Sequence, residues 1–176
     1  SLEVLSSVPR KYTLPLEDHF HAELITKKEE EYSVTLKRGI ARSLVALALK
    51  GYENGVDFQR YVDDIFTSLL SQVSRLDQFI AITDYMDLIV EASPKVFINF
   101  LEKEVNNEQS KIWSLFETNG DALFAKNYYT NILWGIEKLL CLEECVVPAI
   151  KILVKLSERD IEYKISNSPF NTLSHA

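Results

Sequence analysis

The densest group of potential metal ligands in the chain is His19 and His21 with Glu17, Asp18 and Glu23. Imidazole and carboxylate together suit transition metals. The spacing argues against a site: on a helix, residues two apart point about 200° away from each other, so these histidines could share an ion only on a strand. The third histidine, His175, lies in the tail. An exposed acidic helix end is therefore the expectation. The second group is Asp63, Asp64, Asp77, Asp84 and Asp87. Paired carboxylates do general acid–base work when burial splits their pKa values, and Asp77 with Asp84, or Asp84 with Asp87, could align on a helix. Solvated helix faces carry acids at the same spacing, and that is the reading adopted. Cys141 and Cys145 are too few for a zinc site without a second pair or histidines. They are expected as two small apolar side chains on one helix face. No Gly-x-Ser-x-Gly elbow, phosphate-binding glycine loop or His-Glu-x-x-His occurs. The sequence thus assigns no catalytic residue, no cofactor and no metal ligand.

The elements that would position such groups are helices. From Ser33 to Asp160 apolar residues recur three and four apart, which specifies an all-α domain. Hydrophobic residues make up 47% of the 176 residues, with only 5 Gly and 5 Pro, too few turn formers for a β-sandwich. The net charge of -7 disfavours a nucleic-acid partner, because a phosphate backbone calls for a basic face. Local basic pairs exist at Lys27-Lys28 and Lys37-Arg38, but Glu29, Glu30 and Glu31 follow the first directly. No apolar run approaches the roughly 18–20 residues of a membrane span. Two reduced thiols fit a cytoplasmic location. A chain that starts at Ser1 rather than Met reads as a fragment of a longer protein.

Residues 1–32 read as an irregular or weakly helical lead-in, with a helix over 16–31. Residues 33–160 read as helical repeats, and 161–176 as a tail loop, all in one domain. Ser33 caps a helix to Lys50 with Leu36, Ile40, Leu44 and Leu47 in one stripe, widened by Val45 and Leu49. Its small residues Gly39, Ala41, Ala46 and Ala48 would admit a close neighbour. Asp57 caps the next helix, whose core side is Val62, Ile65, Phe66, Leu69 and Val73. A single helix is expected over Leu76–Ala92, then one from Pro94 to Val105, with Pro at its first position. A short helix holds Ile112, Trp113, Leu115 and Phe116. The last two are expected over Tyr128–Leu142 and Glu143–Asp160, the latter burying Val146, Val147, Ile150, Leu153 and Val154. The aromatics Trp113, Phe116, Phe124, Tyr128, Tyr129 and Trp134 crowd one region, as core filling or as an anchor for a partner.

Helix pairs of about 35–45 residues match the size of HEAT and armadillo units. Two segments carry a resemblance, the second in several stretches. Ser33-Val-Thr-Leu-Lys-Arg-Gly-Ile-Ala-Arg-Ser-Leu-Val-Ala-Leu-Ala resembles a central helix rich in small residues found in large bacterial proteins of unknown function. Trp134-Gly-Ile-Glu-Lys-Leu-Leu with Ala149-Ile-Lys-Ile-Leu-Val-Lys-Leu-Ser-Glu-Arg-Asp resembles their later helices, and Asn167-Ser-Pro-Phe-Asn-Thr-Leu their closing loop. After Asp160 the chain has Ile161-Glu162-Tyr163 where those proteins carry Pro-Gly-Gly. The resemblance covers a third of the chain and implies stacked antiparallel helices: a fragment of a right-handed α-solenoid superhelix of the HEAT/armadillo kind. It implies no catalytic residues. Asn167 and Asn171 could clamp the tail to the stack through their side-chain amides. The functional expectation is a non-enzymatic scaffold or recognition module of a larger bacterial protein, binding a protein partner by surface complementarity. The alternatives are a sensor or regulatory arm of a separate NTPase or other catalytic domain, and a small helical enzyme with an acidic metal site.

Overall fold

The computed structural model describes residues 2–15, 18–19, 31–54, 57–116, 128–158, 169 and 172, with backbone alone at 52–54. All regular structure among them is helical. The predicted helix over 16–31 falls almost wholly outside these residues, as do Phe124, Asn167, Asn171 and most of the tail.

A short helix α1 (Leu2–Ser6) and a 3₁₀ turn (Arg10–Thr13) open the chain. Helix α2 (Val34–Asn54) starts where Ser33 accepts the Leu36 amide at 3.2 Å. Asp57 caps α3 (Phe58–Ser71), its carboxylate accepting the Arg60 amide at 3.1 Å. Both start signals act as their sequence predicts, by satisfying amides that the first turn leaves unbonded. Gln78 does the same for α4 (Leu76–Thr83), reaching back to the amides of Ser74 and Arg75.

The expected helix over Leu76–Ala92 is broken. It ends at Thr83, and α5 (Met86–Ala92) begins after Asp84 and Tyr85. Tyr85 is fully buried, and its hydroxyl donates to the Leu5 carbonyl at 2.7 Å. Anchoring that large side chain on α1 turns the backbone out of the helix. Pro94 then opens α6 (Pro94–Asn106). A buried pair, Ser110 donating to Glu104 at 2.6 Å, shapes the turn into α7 (Ile112–Phe116). The Trp113 indole donates to the Asn107 carbonyl in the same turn. Helices α8 (Tyr129–Leu139) and α9 (Glu143–Ser157) follow.

Packing has a clear order. α2 lies against α3 and α5, and α5 against α8. α3 lies against α6, and α6 against α9. Within each consecutive pair, α5 touches α6 and α8 touches α9. The apolar residues between these helices form one continuous cluster from Leu5 to Leu156.

Three predicted faces need correction. On α2, Leu44 and Val45 are buried, but Leu36 and Leu49 are exposed. Of its small residues only Ala41 and Ala48 face the interior; a Cβ on Gly39 would meet nothing within 4 Å. The close approach is instead at Gly135 of α8, where a Cβ would sit 3.2 Å from both Phe97 and Val90. On α9 the buried set is Cys145, Ala149, Ile152, Leu153 and Leu156, while Val147, Ile150 and Val154 face outward. Cys141 lies exposed in the turn before α9 and Cys145 is buried within it, so the two thiols do not share a helix face.

Candidate functional site

The break between α4 and α5 leaves main-chain carbonyls outside any helical ladder, and buried carbonyls require donors. Two neighbouring helices supply them. Arg38 of α2 donates to the Asp84 carbonyl at 2.6 Å, and Asn131 of α8 donates its side-chain amide to the Thr83 carbonyl at 3.1 Å. The other end of α5 is held the same way, Gln59 of α3 donating to the Ala92 carbonyl at 2.8 Å. A helix that stops inside the structure is thus tied to its neighbours by polar side chains.

The Arg38 and Asn131 ties line an open cleft of about 490 Å³. One wall is Arg38 with Thr83, Asp84 and Asp87. The opposite wall is the outer stripe of α8: Asn131, Trp134 and Lys138, with Gly135 behind them. Arg38 forms a two-pronged pair with Asp87, at 2.9 Å and 2.8 Å, using the planar fork that suits a carboxylate. Burial acts to raise the Asp87 pKa. The Arg38 hydrogen bonds, then the charges of Arg38 and Lys138, outweigh it and hold the carboxyl below its ordinary value. Both side chains of the pair remain partly exposed, 31% for Arg38 and 42% for Asp87, so solvent screens their attraction. Trp134 is 53% exposed. Gly135 sets that position: lacking a side chain, it lets α8 sit close on Phe97 and Val90, and its neighbour is carried to the cleft.

An aromatic cluster backs the cleft. Tyr12 donates to the Asp84 carboxylate at 2.7 Å. Its ring meets those of His19 and Tyr128 at centroid distances of 5.6 and 5.8 Å. The Leu14 carbonyl can only accept, so Nε2 of His19 carries the proton it donates there; in the neutral ring Nδ1 then accepts the Tyr128 hydroxyl, each bond being 2.9 Å. His19 is 5% exposed. It is a buried link between the lead-in and the start of α8, which corrects the expectation of an exposed acidic helix end for His19 itself, while Asp18 is exposed. Its intended companions His21, Glu17 and Glu23 lie outside the described residues. Among the described residues no cluster of His, Cys, Asp or Glu could hold a metal.

The acidic residues divide. Asp77 pairs with Arg75 at 2.8 Å beside the start of α4, a local contact away from the cleft lining. Asp84 and Asp87 both line the cleft, but not on one helix as their spacing suggested: Asp84 lies in the break and only Asp87 is in α5. Lys37 and Arg38 do not form the basic patch their adjacency suggests: Lys37 is buried and its ammonium donates to the Ser7 carbonyl, while Arg38 is committed to α4 and α5. Trp113, Phe116, Tyr128 and Tyr129 fill the core, and Trp134 does not. Burial, then the Glu144 carboxylate, raises the Cys145 thiol against the opposing Lys95, which keeps it protonated and unreactive. Arg38, Asn131 and Lys138 carried no signal in the sequence as site residues, because they converge only when α2 and α8 flank the helix break.

No protein-family model, curated protein or solved structure matches the chain. Among the described residues no helix is long and apolar enough to cross a membrane.

Proposed function

We propose that this chain is a non-enzymatic helical-repeat recognition module that binds a segment of a protein partner in the cleft between α2, α5 and α8. In this reading α2/α3, α5/α6 and α8/α9 are three antiparallel hairpins, stacked as a right-handed α-solenoid fragment of the HEAT/armadillo kind. The observation that carries it is the order of packing. α2, α5 and α8 touch in succession, and so do α3, α6 and α9. Each hairpin thus meets the next through both of its helices, which is how repeat stacks bury a continuous core. The short connections, a single Ser93 between α5 and α6 and residues 140–142 between α8 and α9, suit antiparallel neighbours. α4 and α7 are then additions at the junctions between hairpins.

A row of first helices presents one continuous surface, and the cleft crosses all three of its members. Trp134 in its α8 wall has the character of an interface anchor: large, rigid and half exposed, beside groups that can hydrogen-bond. The test is selection of peptides from a displayed random library on the intact protein. Enriched peptides are expected to lose about tenfold or more in affinity on Trp134→Ala, a change of about 1.4 kcal/mol or greater. Binding indifferent to Trp134, or no enrichment at all, would sink the reading.

A further inference from the structure

Helix α9 is apolar on two opposite sides. Cys145, Ala149, Ile152 and Leu156 pack inward, on the side that meets α6 and α8. Val147, Ile150 and Val154 point away from that core and are 61%, 36% and 38% exposed. Their spacing of three and four makes one stripe along the helix. Scattered exposed aliphatics are ordinary, whereas an aligned set marks a contact surface.

The charges on this stripe say what covers it. Glu143 stands one turn before Val147 and Lys151 one turn after, both exposed. The first turn of α9 is acidic, Glu143 and Glu144, and Lys155 lies in its last turn. Let a second α9 cross antiparallel at Val147. Each valine then meets its own copy, and Glu143 of each chain lies beside Lys151 of the other. A twofold axis makes that pairing occur twice. Opposed helix dipoles favour the same arrangement. A parallel copy would place like charges together. The position also continues an existing order: α3 packs on α6 and α6 on α9, so the outer face of α9 is the next place in that row.

We propose that the outer face of α9 binds the same face of a second copy of this chain, in an antiparallel twofold pair centred near Val147. The surface is separate from the cleft, and its test is independent of what the cleft binds. Sedimentation or light scattering of the intact protein, from micromolar to submillimolar concentration, should give a mass rising to twice that of the chain. Val147→Glu should leave a monomer whose helical circular dichroism is unchanged, since the position is exposed. Glu143→Lys alone should weaken the dimer about threefold or more. Adding Lys151→Glu to it should restore the dimer, because the exchanged charges again oppose. A wild-type chain that stays monomeric throughout would overturn the proposal and assign the face to a different partner. So would a dimer indifferent to Val147→Glu. A dimer that needs Val147 but is not restored by the double charge exchange would overturn the antiparallel crossing.

Discussion

Helices α5 and α9 have much the same character and opposite fates. Both carry apolar side chains on nearly every side. In α5, Met86, Leu88, Ile89, Val90 and Ala92 are all buried, and only Asp87 and Glu91 reach the surface. It is enclosed by α2, α3, α4, α6 and α8. α9 packs on α6 and α8, and its outer stripe stays open. The difference lies in position and not in composition. A helix that is apolar all round requires neighbours all round. α5 has them within the chain, and the second face of α9 stays exposed.

The sharpest way to break this comparison is truncation at matched sites. Ile89 is fully buried, and Ile89→Ala should cost about 3 kcal/mol or more through lost burial and the cavity left behind. Val154→Ala, measured where the chain is monomeric, should stay within about 0.5 kcal/mol. Urea unfolding of both variants reads the contrast directly. A loss at Val154 approaching that at Ile89 would mean that the outer face of α9 is covered within the monomer.

A smaller contrast separates the two glycines whose surroundings are defined. Gly135→Ala should destabilise by about 1–3 kcal/mol, because the new methyl group would sit 3.2 Å from both Phe97 and Val90, buried side chains that must give way. Gly39→Ala should stabilise by about 0.5–1 kcal/mol, since α2 gains helix propensity and the methyl group meets nothing. Thermal melts of the pair would reveal opposite signs.

The smallest effect belongs to the polar ties of the cleft. Asp87 has a folded-state pKa below the ordinary 3.8. A carboxyl lowered in this way contributes stability that is complete above its unfolded value and is lost as pH falls through the folded one. The partly exposed Arg38–Asp87 pair contributes under about 1 kcal/mol. The stability gap between wild type and Arg38→Ala should therefore be widest near neutrality and narrow below about pH 4. It should not close, because Arg38 still holds the Asp84 carbonyl when Asp87 is protonated. A gap that is flat down to acid pH would show that the pair itself contributes nothing.

Local signals in the sequence were readable where they act locally. Ser33 and Asp57 cap as expected, and Pro94 opens α6. The break at Asp84-Tyr85 was not readable. Periodicity runs straight through it, and the anchor that turns the chain is the Leu5 carbonyl, 80 residues away. The cleft was half readable: Asp84 and Asp87 stand one turn apart, but nothing near them in the chain indicates Arg38, Asn131 or Lys138. Which of the aromatics between Trp113 and Trp134 fill the core was left open by the sequence, and Trp134 alone of the described ones stays exposed, because hydrophobicity cannot say which side of α8 is covered.

By itself the sequence determined that the regular structure of the described residues is helical, where most of those helices begin, and which side chains are apolar. Those properties follow from capping groups, proline and a spacing of three and four, all of which operate within a turn or two of the backbone. Which apolar face is enclosed, where one helix must break, and which polar groups meet across the break were decided only by tertiary packing. Each depends on a carbonyl, a carboxylate or a ring delivered from a distant part of the chain, and no local pattern encodes that encounter.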